Sequence, residues 1–171
     1  MKEIVRRPEE IGASVVILAD VSGSMGGRKI ERLRVGLSEV WPQVPGAKLL
    51  VFNDLARWIP GPDQLPVPDG GTDLARALRL AGELFPSEVY VFSDGLPFNP
   101  EESLQEAARL PGVIHVMFIG SDSDLQGAEF MRRLAAAGGG VMVHRDLAKV
   151  AAIGGEVRRM LGLPAPIAVG V

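Results

Sequence analysis

Asp20, Ser22 and Ser24 stand at alternate positions in the segment Asp20-Val21-Ser22-Gly23-Ser24, directly after an apolar run. In a turn, that spacing projects three oxygens toward one point. Gly23 lets the chain bend there, and Gly26 and Gly27 let it approach closely. Two further oxygen donors occur in comparable settings, Thr72 in Gly70-Gly71-Thr72-Asp73 and Asp94 in Ser93-Asp94-Gly95. Two carboxylates and three hydroxyls form an all-oxygen set, which suits Mg²⁺ or Mn²⁺ and not zinc. Mg²⁺ demands near-octahedral geometry and gives up water reluctantly. A site with few direct protein ligands therefore keeps waters and a position open to an outside oxygen.

Such a set converges only if the chain brings three distant loops together, and the hydrophobic pattern supplies the means. Ser14 to Asp20 is a nearly continuous, β-branched apolar run, the pattern of a central strand covered on both faces. Ile30, Leu33, Leu37, Val40 and Trp41 then recur at helical spacing, closed by Pro42 and Pro45. Ala47 to Phe52 reads as a second strand, Asn53-Asp54 as a turn and Ala56 to Ile59 as an edge strand. Pro60 to Gly71 is a loop of four prolines and three glycines. A helix is expected over Asp73 to Phe85, with Leu74, Leu78, Ala81 and Phe85 on its apolar face. Glu88 to Ser93 is a further buried strand. Asn99 is expected to cap a helix with Pro100 at its first position and Glu101 and Glu102 in its first turn. The remainder reads as a strand over Val113 to Ile119, a helix over Leu125 to Ala137 broken by Gly138 to Gly140, a strand over Val141 to His144, and a helix from about Leu147 to Leu161.

Strands alternating with helices imply right-handed crossovers and an α/β, doubly wound, mostly parallel central sheet with helices on both faces. Ligands of such sheets sit outside the carboxyl ends of the strands, where all five oxygen donors fall. The expected organisation is a lead-in over residues 1–13, one domain over 14–163 and a short apolar tail over 164–171. A chain of 171 residues with 47% hydrophobic content can build a full core without cross-links. The absence of cysteine excludes disulfides, zinc–thiolate sites and cysteine nucleophiles. A net charge of −3, from 18 basic and 21 acidic residues, argues against a nucleic-acid binder. Charged residues interrupt the N-terminal segment MKEIVRRPEEIG, and no stretch approaches a membrane span, so no signal peptide, no membrane partner and a cytoplasmic location are expected.

Taken singly, these residues have plainer readings. Asp and Ser after a strand commonly cap the next helix; Thr72 alone reads as a cap and Asp94 as a turn residue. Asp73 reads as a first-turn partner of the helix dipole. Asp122 and Asp124 read as loop and cap residues that could shape a ligand rim. His115 and His144 read as structural, and Trp41 and Trp58 as packing residues. Enzyme signatures are poor. Ser22 stands where a nucleophile elbow has its first glycine, and no phosphate loop ending in Lys-Ser or Lys-Thr occurs. A metal-assisted phosphoryl hydrolase using Asp20 would want a second acid two residues on, where Ser22 stands. No histidine or lysine lies in these loops to act as general acid or base.

The set as a whole resembles the von Willebrand factor A domain with a complete metal-ion-dependent adhesion site. That pattern is Asp-x-Ser-x-Ser, a Thr in a second loop and an Asp in a third, here Asp20, Ser22 and Ser24, Thr72 in GGTDLARAL, and Asp94 in FSDG. The likeness extends to the downstream FMRRLAAAGGG block and covers about Ser14 to Leu163. It implies that Ser22 and Ser24 ligate Mg²⁺ or Mn²⁺ directly and that Thr72 does so in the ligand-competent state. Asp20 and Asp94 would act largely through waters, leaving the metal less neutralised and more attractive to an anion. An Asp or Glu of a protein partner would take the remaining position. The resemblance thus points to a non-enzymatic adaptor module. The alternatives are the phosphoryl hydrolase and a structural component that keeps its metal without exchanging ligands.

Overall fold

The computed structural model describes residues 15–164. The lead-in and all but the first residue of the tail lie outside the described residues. Six strands form one sheet in the order β3-β2-β1-β4-β5-β6: β1 Val15–Asp20, β2 Lys48–Phe52, β3 Ala56–Ile59, β4 Glu88–Ser93, β5 Val113–Phe118 and β6 Gly139–His144. All neighbours pair in parallel except β3, which returns antiparallel to β2 through the Asn53-Asp54 turn. The helices are α1 Arg28–Val40, α2 Leu74–Gly82, α3 Pro100–Arg109, α4 Leu125–Ala137 and α5 Gly154–Met160. Among the described residues, no helix is long and apolar enough to cross a membrane.

β1 shows why its sequence is continuously apolar. Val15, Ile17 and Ala19 enter a core shared with α1 and α5, whereas Val16 and Leu18 enter a second core beneath α2, α3 and α4. Successive strand residues face opposite sides, so a strand covered twice has no polar face. The chain leaves β1 toward β2 on one side and β4 on the other, with β1 and β4 adjacent. Their carboxyl ends form the switch point of the sheet, the crevice where doubly wound folds bind ligands.

Three elements differ from the sequence expectation by two residues or more. The helix expected to reach Phe85 ends at Gly82, and Phe85 is 79% exposed with φ 48°. Gly82 is a poor helix former, and the residue before Pro86 is pushed out of the helical region, so the apolar spacing continues without the helix. A non-glycine residue with positive φ is strained, and Asn tolerates that conformation better than Phe. Phe85→Asn should therefore raise stability by about 0.5–1 kcal/mol, read as a higher midpoint of urea denaturation at unchanged slope; a lower midpoint would show that Phe85 makes stabilising contacts.

The last helix is limited to Gly154–Met160 rather than starting near Leu147. Asp146 gathers the preceding residues into a turn, its carboxylate accepting from the Ala148 N–H at 2.9 Å and its carbonyl from the Lys149 and Val150 N–H groups. Leu147, Ile153, Val157 and Leu161 are nonetheless all buried, so the periodicity reports burial correctly and helicity only in part. β6 starts at Gly139, whose φ of 76° suits glycine, so a residue expected only to break the helix also opens the strand.

Candidate metal centre

The five sequence-selected residues lie on three loops at the carboxyl ends of the sheet. Asp20 closes β1 and is 1% exposed. Its Oδ1 accepts from the Ser22 N–H at 2.8 Å, and its Oδ2 from the Ser93 hydroxyl at 2.7 Å. The Ser22 and Ser24 hydroxyl oxygens are 3.2 Å apart, and the Ser24 hydroxyl donates to Asp94 Oδ1 at 2.9 Å. Asp20, Ser22, Ser24 and Asp94 thus form one linked cluster spanning the ends of β1 and β4. The hydroxyls are not spent on helix capping. Ser22 precedes the short 3₁₀ turn Gly23–Met25 without a side-chain cap bond, and α1 is preceded by Gly27.

The loop that carries Thr72 is tied to the loop after β1 and to the β2–β3 turn by backbone bonds. The Gly23 N–H donates to the Gly70 carbonyl at 3.0 Å, the Asp69 N–H to the Val21 carbonyl at 3.0 Å, and the Asp73 N–H to the Asn53 carbonyl at 2.7 Å. The Asp54 carboxylate accepts from the Gly71 N–H at 3.0 Å. Gly70 has a φ of 73°, which favours glycine, and a Cβ there would lie 2.4 Å from Asp54 Oδ2 and push that carboxylate aside. The Thr72 carbonyl accepts from the Phe98 N–H at 3.2 Å, whereas its hydroxyl has no hydrogen-bond partner among the described residues.

Several residues of this arrangement are missed by reading the sequence. Ser93 holds Asp20, Asp54 holds the Thr72 loop, and Lys29 places its ammonium 2.8 Å from Asp94 Oδ2 and 3.3 Å from the Ser24 carbonyl. Lys29 reaches the cluster from the first turn of α1, outside the loops themselves. Asp73 is the N-cap of α2, accepting from the Arg76 N–H at 3.0 Å, rather than a residue inside the first turn. Asn99 occupies the N-cap position of α3 without making a side-chain cap bond; its amide instead donates to Asp73 Oδ1 at 2.8 Å. Asp124 caps α4 and borders the Asp94 loop, its Oδ2 being 3.6 Å from where a Cβ at Gly95 would stand. Asp122 faces Lys149 and His144 at 3.4 and 3.6 Å. His144 stacks on Phe118 and His115 on Tyr90, both structural placements.

Among the described residues, no group of three or more His, Cys, Asp or Glu side chains is placed to hold a metal, so any cation here would depend on hydroxyls together with the two carboxylates. The donor chemistry fits a hard cation. So does the electrostatics. Burial pushes the Asp20 carboxyl up from 3.8 to about 6, and the Asp94 charge adds to this, while hydrogen bonds from Ser22 and Ser93 work against it. A nearby cation would favour the ionised form.

In metal-free protein, folded Asp20 keeps a proton between pH 4 and 6 that the unfolded chain releases. This contribution to stability is fully present below about pH 4 and is lost as pH rises through about 6, with a total near 3 kcal/mol. Wild type should therefore lose stability relative to Asp20→Asn as pH rises from 4 to 6.5 in metal-free buffer. Denaturation curves of the two that keep a constant offset would refute this assignment.

A family model described as von Willebrand factor type A domain matches residues 13–144, a stretch that holds all five residues and all six strands. No curated protein matches the chain.

Proposed function

Because this chain belongs to the von Willebrand factor type A domain family, whose members often mediate protein interactions, we propose that it is a non-enzymatic, Mg²⁺- or Mn²⁺-dependent binding module that takes up an Asp or Glu of a protein partner. The observation that carries this reading is the cluster itself. Asp20, Ser22, Ser24 and Asp94 turn their oxygens to one another at the switch point, on loops cross-tied to the Thr72 loop. Ser22, Ser24 and Thr72 would hold the cation directly, and Asp20 and Asp94 would hold its waters. When bound, the metal supplies an electrophilic position for a hard anionic oxygen.

The surroundings support a protein as the source of that oxygen. One metal–carboxylate bond is too little for a specific complex, and the rim offers apolar surface beside it. Phe98 is 64% exposed and lies close to Gly71, with its N–H bonded to the Thr72 carbonyl. Leu96 is exposed on the loop after β4, Leu125 at the first position of α4 and Leu55 on the turn after β2. Exposed apolar side chains of this kind supply contact area that a protein partner can bury. The same geometry speaks against a hydrolase. Both Asp20 oxygens accept hydrogen bonds in a buried position, so this carboxylate is poorly placed to attack a phosphoryl group. We place the module in the cytoplasm, without a nucleic-acid or membrane partner. Capture of the native partner in Mg²⁺ and its release by chelator tests the reading; capture that persists in excess EDTA overturns it.

A further inference from the structure

Lys29 is the second residue of α1, and its stem carries the ammonium across to the Asp94 loop. The two Asp94 oxygens are divided between two donors, Oδ1 accepting from the Ser24 hydroxyl and Oδ2 from the Lys29 ammonium. The same ammonium also lies 3.3 Å from the Ser24 carbonyl. Among the described residues every buried side-chain nitrogen and oxygen has a hydrogen-bond partner. Asp94 forms no other ion pair there. The lysine side chain is 24% exposed, whereas Asp94 is 4% exposed. The acid is fixed, and the base has a route to water.

An ammonium is a compact point charge on a flexible stem, and it gives up a partly exposed ion pair at small cost. A divalent cation drawn to Asp94 would meet that positive charge at contact distance, where repulsion is strongest. Resting on the metal-site reading above, we propose that Lys29 is a tethered competitor for the metal, occupying Asp94 in the metal-free protein and leaving for solvent when Mg²⁺ or Mn²⁺ arrives. Metal affinity is thereby set below what the five oxygen donors alone would give. Asp94 keeps a countercharge at low metal concentration, instead of standing as an unpaired buried carboxylate.

The alternative role for Lys29 is to hold Asp94 in place for the metal, and the two roles predict opposite signs. Calorimetric titration of the full-length, metal-stripped chain with Mg²⁺ and with Mn²⁺ separates them. Lys29→Met and Lys29→Gln should each tighten Kd about tenfold, with Lys29→Arg remaining near wild type. In chelator, Lys29→Met should melt below wild type, because Asp94 has lost its countercharge. A second readout is the side-chain NMR signal of Lys29, which should move toward the position of a solvated lysine as wild type is titrated with Mg²⁺. Unchanged or weaker binding by Lys29→Met and Lys29→Gln, while wild type binds metal, overturns the competitor role and leaves the metal site standing. If neither wild type nor these variants, all folded, bind either ion, the metal-site reading falls and this proposal falls with it.

Discussion

Millimolar Mg²⁺ or Mn²⁺ should raise the melting temperature of metal-stripped protein by about 5–10 °C, and Asp20→Ala and Asp94→Ala should each remove most of that rise. A ligand that binds only the folded state stabilises it by RT ln(1 + [L]/Kd), about 2.7 kcal/mol at one hundred times Kd. For a domain of this size, each kcal/mol moves the midpoint by roughly 2–4 °C. The unfolded chain offers no competing site, because the donors come from three loops separated by more than twenty residues of sequence, at residues 20–24, 72 and 94. The two alanine variants act through different losses. Asp94→Ala takes away the carboxylate shared by Ser24 and Lys29, so the cluster loses one of its two acidic groups. Asp20→Ala takes away the acceptor for the Ser22 N–H and the Ser93 hydroxyl, so the loop carrying both serines loses its anchor. Each variant is therefore compared with its own metal-free midpoint. A Mg²⁺ response equal to wild type in both would show that the cation, if it binds, sits elsewhere.

The fold was legible in the sequence because its strands advertise their burial. Val15–Asp20 and Glu88–Ser93 are apolar on both faces, and in a sheet covered by helices only the innermost strands can be. That these two strands lie side by side, and so make the switch point, is seen only in the sheet order. The elements misjudged are those where apolar spacing outlasts the helix. Phe85 continues the α2 period but sits before Pro86, and Leu147 keeps a core position inside a turn built by Asp146. Hydrophobic periodicity reports which residues are buried; backbone geometry near Pro, Gly and Asp decides whether a helix carries them.

The candidate site divides in the same way. Residues whose spacing is short and motif-like, such as Asp20, Ser22 and Ser24, can be selected from sequence. Those that complete the cluster from afar cannot. Lys29 reaches Asp94 over 65 positions of sequence, and Asp54 reaches Gly71 over 17. Neither residue type in its local setting signals more than a helix surface or a turn. The signal for Lys29 was positional. It lies on the first turn of the helix that the Asp-x-Ser-x-Ser loop leads into, and such a side chain points back toward the loop at the helix N-terminus.

Partner binding should require Mg²⁺ or Mn²⁺, and Thr72→Ala should weaken it about a hundredfold while leaving the melting temperature in chelator unchanged. The second half follows from the geometry, since the Thr72 hydroxyl has no hydrogen-bond partner among the described residues. The loop is held instead by backbone bonds at Gly70, Asp69 and Asp73 and by Asp54 on Gly71. Removing the hydroxyl removes a ligand-side oxygen and nothing the fold uses. The first half follows from electrostatics. Losing one donor to a metal, or one group that orients it, typically costs 10–100-fold in affinity, and a partner whose acidic residue contacts that metal inherits the loss. Replacing that single Asp or Glu on the partner should have a comparable effect, because a buried charge contact cut on one side costs several kcal/mol. Phe98→Ala offers an independent arm. It trims an exposed apolar contact next to Thr72 without touching any oxygen donor, so it should weaken the complex while leaving the Mg²⁺-induced rise in melting temperature intact. A complex that forms equally well in excess EDTA, or that ignores Thr72→Ala, would mean that the metal serves the fold alone and that the partner docks on another face.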